Sequence, residues 1–264
     1  GEPSNPVLAG SEIVLGESES VSALMQLDPA RLLLRRQISN DPAAAGRVLA
    51  LAELGIQSGD TNLILEAASI FSEGFSDGRS SDARQMMLDL LLEYEASLDG
   101  DSEIMASEIL DAAEAISVDP GQRAAMLFAR GMRELNSDRP RSALLFWEEI
   151  LGEPTLSSQM VAIGALQINA ARLISSKIRA SSGTLDLWNA MCADRYEKIK
   201  ATGLDGDMDM ARSFMGSDVG IEVLWDIQAR QSEQADVISS RLTLSHISSL
   251  DPGVEVLEDI IDVL

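Results

Sequence analysis

Catalysis needs side chains that exchange protons, attack electrophiles or hold metals, and this chain carries few of the usual ones. It has one histidine, His246, and one cysteine, Cys192. A single imidazole excludes a two-histidine metal site and any triad that needs a second ring. A single thiol excludes an intrachain disulfide and a zinc ribbon or zinc finger. His246 follows Leu242 and Leu244 and precedes Ile247, so it reads as a partly packed helix residue. Cys192, within Trp188-Asn-Ala-Met-Cys-Ala-Asp194, reads as core rather than nucleophile. No phosphate-cradling glycine loop, no Gly-x-Ser-x-Gly elbow and no metal-ligand helix is present. The expectation is a non-enzymatic chain with no cofactor and no catalytic residue. Two carboxylates brought together by folding leave a helical enzyme or hydrolase accessory domain open as an alternative.

The acidic clusters have a plainer reading. Asp205, Asp207 and Asp209 alternate, but a calcium loop needs glycine at its sixth position and glutamate at its twelfth, where this chain has Met210 and Gly216. They are expected to cap a helix, where the dipole favours carboxylates, and Asp99-Gly100-Asp101 is read the same way. The basic residues are more selective. Arg123, Arg130 and Arg133 fall on one helix face, with Arg139 and Arg141 just beyond. This concentration could clamp a carboxylate or phosphate of a partner, or it could serve local ion pairing such as Arg130 with Glu134.

Composition bounds the partner. The 264 residues include 43 acidic and 20 basic side chains, a net charge of −23, with 45% apolar and 4% aromatic residues. The apolar fraction is ample for a core. Such a negative chain makes nucleic acid a poor partner. No run of 18 apolar residues exists to span a membrane. Only Lys177, Lys198 and Lys200 are lysines. That bias fits a high-salt or extracytoplasmic setting, and equally a GC-rich genome. Residues 1–20, rich in Gly, Pro, Ser and Glu, read as a flexible leader, either a tether left by a removed signal or anchor or a frayed end.

From residue 21 the spacing predicts helix after helix: 21–36, 42–55 (opened by Asp41 before Pro42), 61–75, 82–96, 103–116, 120–135, 141–151, 157–178 and 184–201. The breaks are explicit turn sequences such as Ser58-Gly59-Asp60, Asn136-Ser137-Asp138 and Glu153-Pro154. Strand-like alternation is nearly absent, so the expected class is all-α.

The turns at Gly59-Asp60, Gly100-Asp101 and Ser137-Asp138 recur at 41 and 37 residues, a helix-pair period. Each is followed by a small residue and, four positions on, a bulky one: Ala67 and Phe71, Ala106 and Leu110, Ala143 and Trp147. The small residue would let the two helices of a pair approach, and the bulky one would fill the space against the next pair. Leu127-Phe128-Ala129-Arg130-Gly131, continued by Ala143, Trp147, Ile150 and Pro154, resembles the tetratricopeptide repeat; so does the Asp119-Pro120 ending the preceding copy. The resemblance covers about residues 40–155. Extra residues in the first turn, Arg130 in place of leucine and Glu134 in place of tyrosine depart from the family pattern.

The resemblance implies an α-solenoid of antiparallel helix pairs wound as a right-handed superhelix, whose first helices line a concave surface for peptides or proteins. Carried over by position, that surface would present Ala125, Phe128, Met132, Leu135 and Asn136. The chain's own C-terminal helices could also cover it. Beyond about residue 205 the repeat signal is lost, although 208–215, 221–241 and 254–264 still read as helices. The organisation expected is a leader (1–20), a repeat domain (21–204) and C-terminal helices (205–264) that cap the solenoid or dock into a neighbour. The leading function is a scaffold for a protein or peptide partner, with an envelope-associated assembly as one setting. Self-assembly into a homo-oligomer is the second.

Overall fold

In the computed structural model, residues 7–9, 12–16, 21–41, 44–75, 81–99, 102–163, 166–201 and 207–250 are described, with the side chains of 7–25 and 248–250 set aside. The chain is mostly helical, with thirteen helices among the described residues, as the periodicity predicts. It divides into two compact units, Gly1–Val118 and Asp119–Leu264. The boundary lies inside the stretch 21–204.

The first unit begins with strands, which corrects the reading of a leader followed by a helix from residue 21. β1 (Val7–Ala9), β2 (Glu12–Gly16) and β3 (Val21–Met25) form an antiparallel meander, with Val7 opposite Val14 and Ile13 opposite Leu24. Residues 21–25 fit a helical apolar period, but the Ile-Val-Leu run of β2 offers their backbone a ladder partner. Helix α1 (Leu27–Asn40) therefore starts after the sheet. Asp41 closes α1 instead of opening the next helix, and Pro42 lies outside the described residues. Helix α2 (Ala45–Ser58) ends at Gly59 in the left-handed conformation (φ 68°), and Asp60 caps α3 (Thr61–Gly74) by accepting from the Leu63 amide. Helices α4 (Ser81–Ser97) and α5 (Glu103–Ile116) complete the unit.

Within this unit consecutive helices pair, α2 with α3 and α4 with α5. The pairs also touch in order, α2 on α4 and α3 on α5. First helix on first and second on second is how a repeated two-helix element buries a continuous core. Leu51, Ala52, Ile64, Ala67, Phe71, Met87, Leu91, Ile109 and Ala113 are shut away from solvent. Arg84 is also buried. Its guanidinium donates to the carbonyls of Phe75, at the C-terminus of α3, and of Ile116, the last residue of α5 (3.3 Å for the latter). One cation thus satisfies orphan acceptors at two helix ends and faces the negative poles of both dipoles.

The second unit opens with α6 (Pro120–Asn136), started by a capping box between Asp119 and Gln122, and α7 (Pro140–Gly152). Trp147 on α7 is fully buried. Its ring lies over Gly131 of α6, its centroid is 6.1 Å from that of Phe128, and Nε1 donates to the Phe128 carbonyl at 3.5 Å. A Cβ at Gly131 would fall 2.1 Å from Nε1, so only glycine fits there. Trp147 therefore packs onto the first helix of its own pair, where the sequence reading placed it against the next.

Two long helices expected beyond this point are interrupted. The 157–178 run becomes a single turn, α8 (Pro154–Ser157), a two-stranded antiparallel sheet of β4 (Met160–Ile163) and β5 (Leu166–Asn169), and α9 (Ala170–Arg179). Asn169 makes the switch. Its amide donates to the Ser157 carbonyl (3.1 Å) while its oxygen caps the Arg172 amide (3.2 Å). After α10 (Ser182–Lys200) and α11 (Met208–Ser213), the 221–241 run divides into α12 (Asp218–Glu233) and α13 (Val237–Leu250). Ala235 between them is left-handed (φ 57°), and Asp236 accepts from the Ser239 amide at 3.1 Å. The final amphipathic segment, 254–264, lies outside the described residues.

Candidate functional site

Helix α10 builds the most developed surface feature. Trp188, Cys192 and Tyr196 recur every four residues and are all buried, forming one apolar stripe. Trp188 Nε1 donates to the Met215 carbonyl (3.1 Å), and Tyr196 meets Phe214 edge-on with centroids 6.0 Å apart. Asn189 fastens the same helix to the start of α12, donating to the Asp218 carboxylate (2.8 Å) and accepting from its amide (3.0 Å). On α7, Arg141 and Glu148 lie two turns apart and face α10.

Between these elements lies a cleft of about 290 Å³. Trp188, Cys192 and Phe214 line its base but are themselves almost wholly buried, and Arg141, Arg195 and Lys198 stand around it. Arg195 is paired with Glu148 and lies 5.9 Å above the Phe214 ring; Lys198 is bonded to Asp194 at 2.6 Å, both largely exposed. Arg141 is exposed and has no carboxylate within salt-bridge distance among the described residues. The thiol at the floor is not a nucleophile. Burial pushes Cys192 up to about 12, and the Ser217 hydroxyl offsets this only in part.

The arginine face expected on α6 has been spent largely on its own helix pair. Arg123 is paired with Glu149, and Arg130 lies 5.9 Å from the centre of the Phe146 ring; both partners are on α7. Arg133 is half-buried in the last turn of α6, where a cation meets the helix's negative end. Glu134 accepts from Arg139 in two hydrogen bonds of 2.7 and 3.1 Å. Of the apolar residues assigned to a concave face, Phe128 is buried against Trp147 and so offers no ring to a partner. Met132 and Leu135 are half-buried, as is Ala125, and Asn136 is exposed.

The aspartate run behaves as a cap where it is described: Asp207 accepts from the Met210 amide at 2.8 Å and Asp209 pairs with Arg212 at 2.6 Å, while Asp205 lies outside the described residues. No group of three or more His, Cys, Asp or Glu side chains is placed to hold a metal ion among the described residues. Among them, too, no helix is long and apolar enough to cross a membrane. No family model, curated protein or solved structure matches the chain.

His246 is half-buried on α13, and burial, reinforced by Arg172 and Arg212, lowers its pKa from 6.5. The folded state thus prefers the neutral ring, whereas the unfolded chain takes up a proton near pH 6.5. Its contribution to stability is full above that pH and is lost as pH falls through 6.5 toward the depressed folded value. With one histidine in the chain, proton NMR reads this directly. The native imidazole midpoint should lie below 6.5 and return to 6.5 in urea; coincident midpoints would refute the shift.

Proposed function

We propose that the chain is a non-enzymatic helical-repeat scaffold, built from tetratricopeptide-like helix pairs, that mediates protein–protein interaction. The observation that carries this reading is the ordered stacking of α2–α3 on α4–α5. Repeat elements of this kind gain stability from nearest neighbours and leave extended faces for partners. The buried, unreactive thiol is consistent with a structural rather than a chemical use of the interior.

Affinity capture from native extract, with bound proteins identified by mass spectrometry, tests it. Wild type should recover a defined partner. The Arg123→Ala, Arg130→Ala, Arg133→Ala triple variant should lose it if the α6 face is the contact. Recovery of nothing under gentle conditions would remove the scaffold reading, and undiminished recovery by the triple variant would remove the arginine face from it.

Self-assembly, the second reading, has one observation in its favour. The β4–β5 hairpin exposes Met160, Ile163 and Leu166, and among the described residues its sheet holds only two strands. Exposed strands with apolar side chains invite pairing with another copy. Light scattering across a concentration series distinguishes a monomer from such an assembly.

A further inference from the structure

Helix α13 leaves part of its apolar surface uncovered. One side is fastened to α12: Ser240, Thr243, Leu244 and Ile247 are buried, Thr243 donates to the Gln231 side chain (2.9 Å), and Gln228 donates to the Ser240 hydroxyl (3.2 Å). These bonds fix the rotation of the helix, so its opposite side cannot turn inward. That side presents Ile238, 76% exposed, and Leu242, 68% exposed, one turn apart with Ser245 beyond them. Arg241 and His246 are the helix's only ionisable side chains, so it carries no carboxylate in a chain with 43 acidic residues. On the His246 side the charges that act on the ring are cations, Arg172 and Arg212, the latter bonded to Asp209.

The sequence that follows α13, outside the described residues, has the complementary character. Asp251-Pro252-Gly253 is a turn sequence. On a helical period every apolar residue of 254–264 falls on one half of the surface, and Glu255, Glu258, Asp259 and Asp262 fall on the other. We propose that 254–264 folds back as an amphipathic helix antiparallel to α13 and covers Ile238 and Leu242 of the same molecule. Counting equal rises from the turn brings Ile261 level with Thr243 and Leu264 level with Ser240, on either side of Leu242 and within a turn of Ile238. The acids then border the contact, where α13 offers Arg241 and no carboxylate. A connection of three residues, 251–253, gives this segment a far higher effective concentration at the face than a second copy or a foreign helix has. The face is thus a docking surface for an acidic amphipathic helix that the chain itself supplies, and a partner helix of the same character must displace it first.

Disulfide trapping in the full chain tests this. Leu242→Cys is combined either with Ile261→Cys, on the apolar half of the segment, or with Asp262→Cys, the next residue but on the acidic half. Cys192 is 1% exposed and stays out of the exchange. Under mild oxidation with diamide in dilute solution, the Leu242→Cys, Ile261→Cys pair should close within one molecule about tenfold faster than the Leu242→Cys, Asp262→Cys pair, because the bond forms only where the two Cβ atoms come together. That rate should not depend on protein concentration. Adding Ile238→Asp to the faster pair should slow its closure toward the rate of the other, and an unchanged rate would overturn the proposal. Equal closure of the two pairs would overturn it as well, since it would mean a segment with no fixed face. A disulfide-linked dimer formed in place of the internal bond, faster at higher concentration, would assign the face to a second copy instead. No closure at all, with both new thiols still reacting with maleimide, would leave the face to a partner and end the proposal.

Discussion

Trp147→Ala is expected to cost the second unit about 3–5 kcal/mol, measured as a fall in the urea midpoint at unchanged slope. The ring is wholly buried and stacked on Phe128, and α6 has no side chain at Gly131 to move into the space it leaves. The reciprocal change should also be damaging. Gly131→Ala puts a Cβ 2.1 Å from Nε1, inside any permitted contact, so the tryptophan or one of the helices must shift. Overpacking of this kind costs about 1–3 kcal/mol. Because both residues describe one contact, the double variant Gly131→Ala, Trp147→Leu should be more stable than the sum of the single changes allows. Strict additivity would mean that the ring and the glycine do not share the packing seen here.

Arg84→Met should be the most harmful single change in the first unit, lowering its stability by about 3 kcal/mol. The methionine chain can follow the arginine stem, so the loss lies in the head group. Two buried carbonyls, at Phe75 and Ile116, lose their charged donor, and each orphaned acceptor costs about 1–3 kcal/mol. Arg84→Lys should recover only part of this, since an ammonium lacks the planar fork that reaches both helix ends. Denaturant unfolding gives the size of the effect. Faster amide exchange in the last turns of α3 and α5 gives its location. A loss confined to α4 would mean that the guanidinium only fills space.

The helices were legible where the chain marks their ends chemically. Asp60, Asp119 and Ser181 each precede a helix and each accepts from an amide three residues on. The misreadings share a cause, which is that the deciding interaction lies outside the segment. Residues 21–25 fit a helix until β2 supplies a ladder, and the apolar residues from Met160 to Ile168 fit either period until β4 meets β5. The division at Ala235 is marked only by Asp236, which caps α13 through the Ser239 amide; an alanine at positive φ costs more than glycine there, and the pairing of α12 with α13 must maintain it. The arginine concentration was visible as spacing, but its use was not, because Glu149 and Phe146 sit on the next helix. The cleft was harder still. Arg141, Arg195 and Phe214 come from three separated parts of the chain, and only the Trp188–Cys192–Tyr196 stripe hinted that α10 has a face worth following.

The solitary thiol turns the second unit into its own clock. Cys192 is 1% exposed and held in its protonated form, so a maleimide can capture it only when α10 lifts from Phe214 and Ser217. With reagent in excess, the labelling rate stops rising with reagent concentration and equals the frequency of opening; at low reagent it reports how large a fraction of molecules is open at any instant. Trp188, one turn before the thiol, can report the same excursion through its emission.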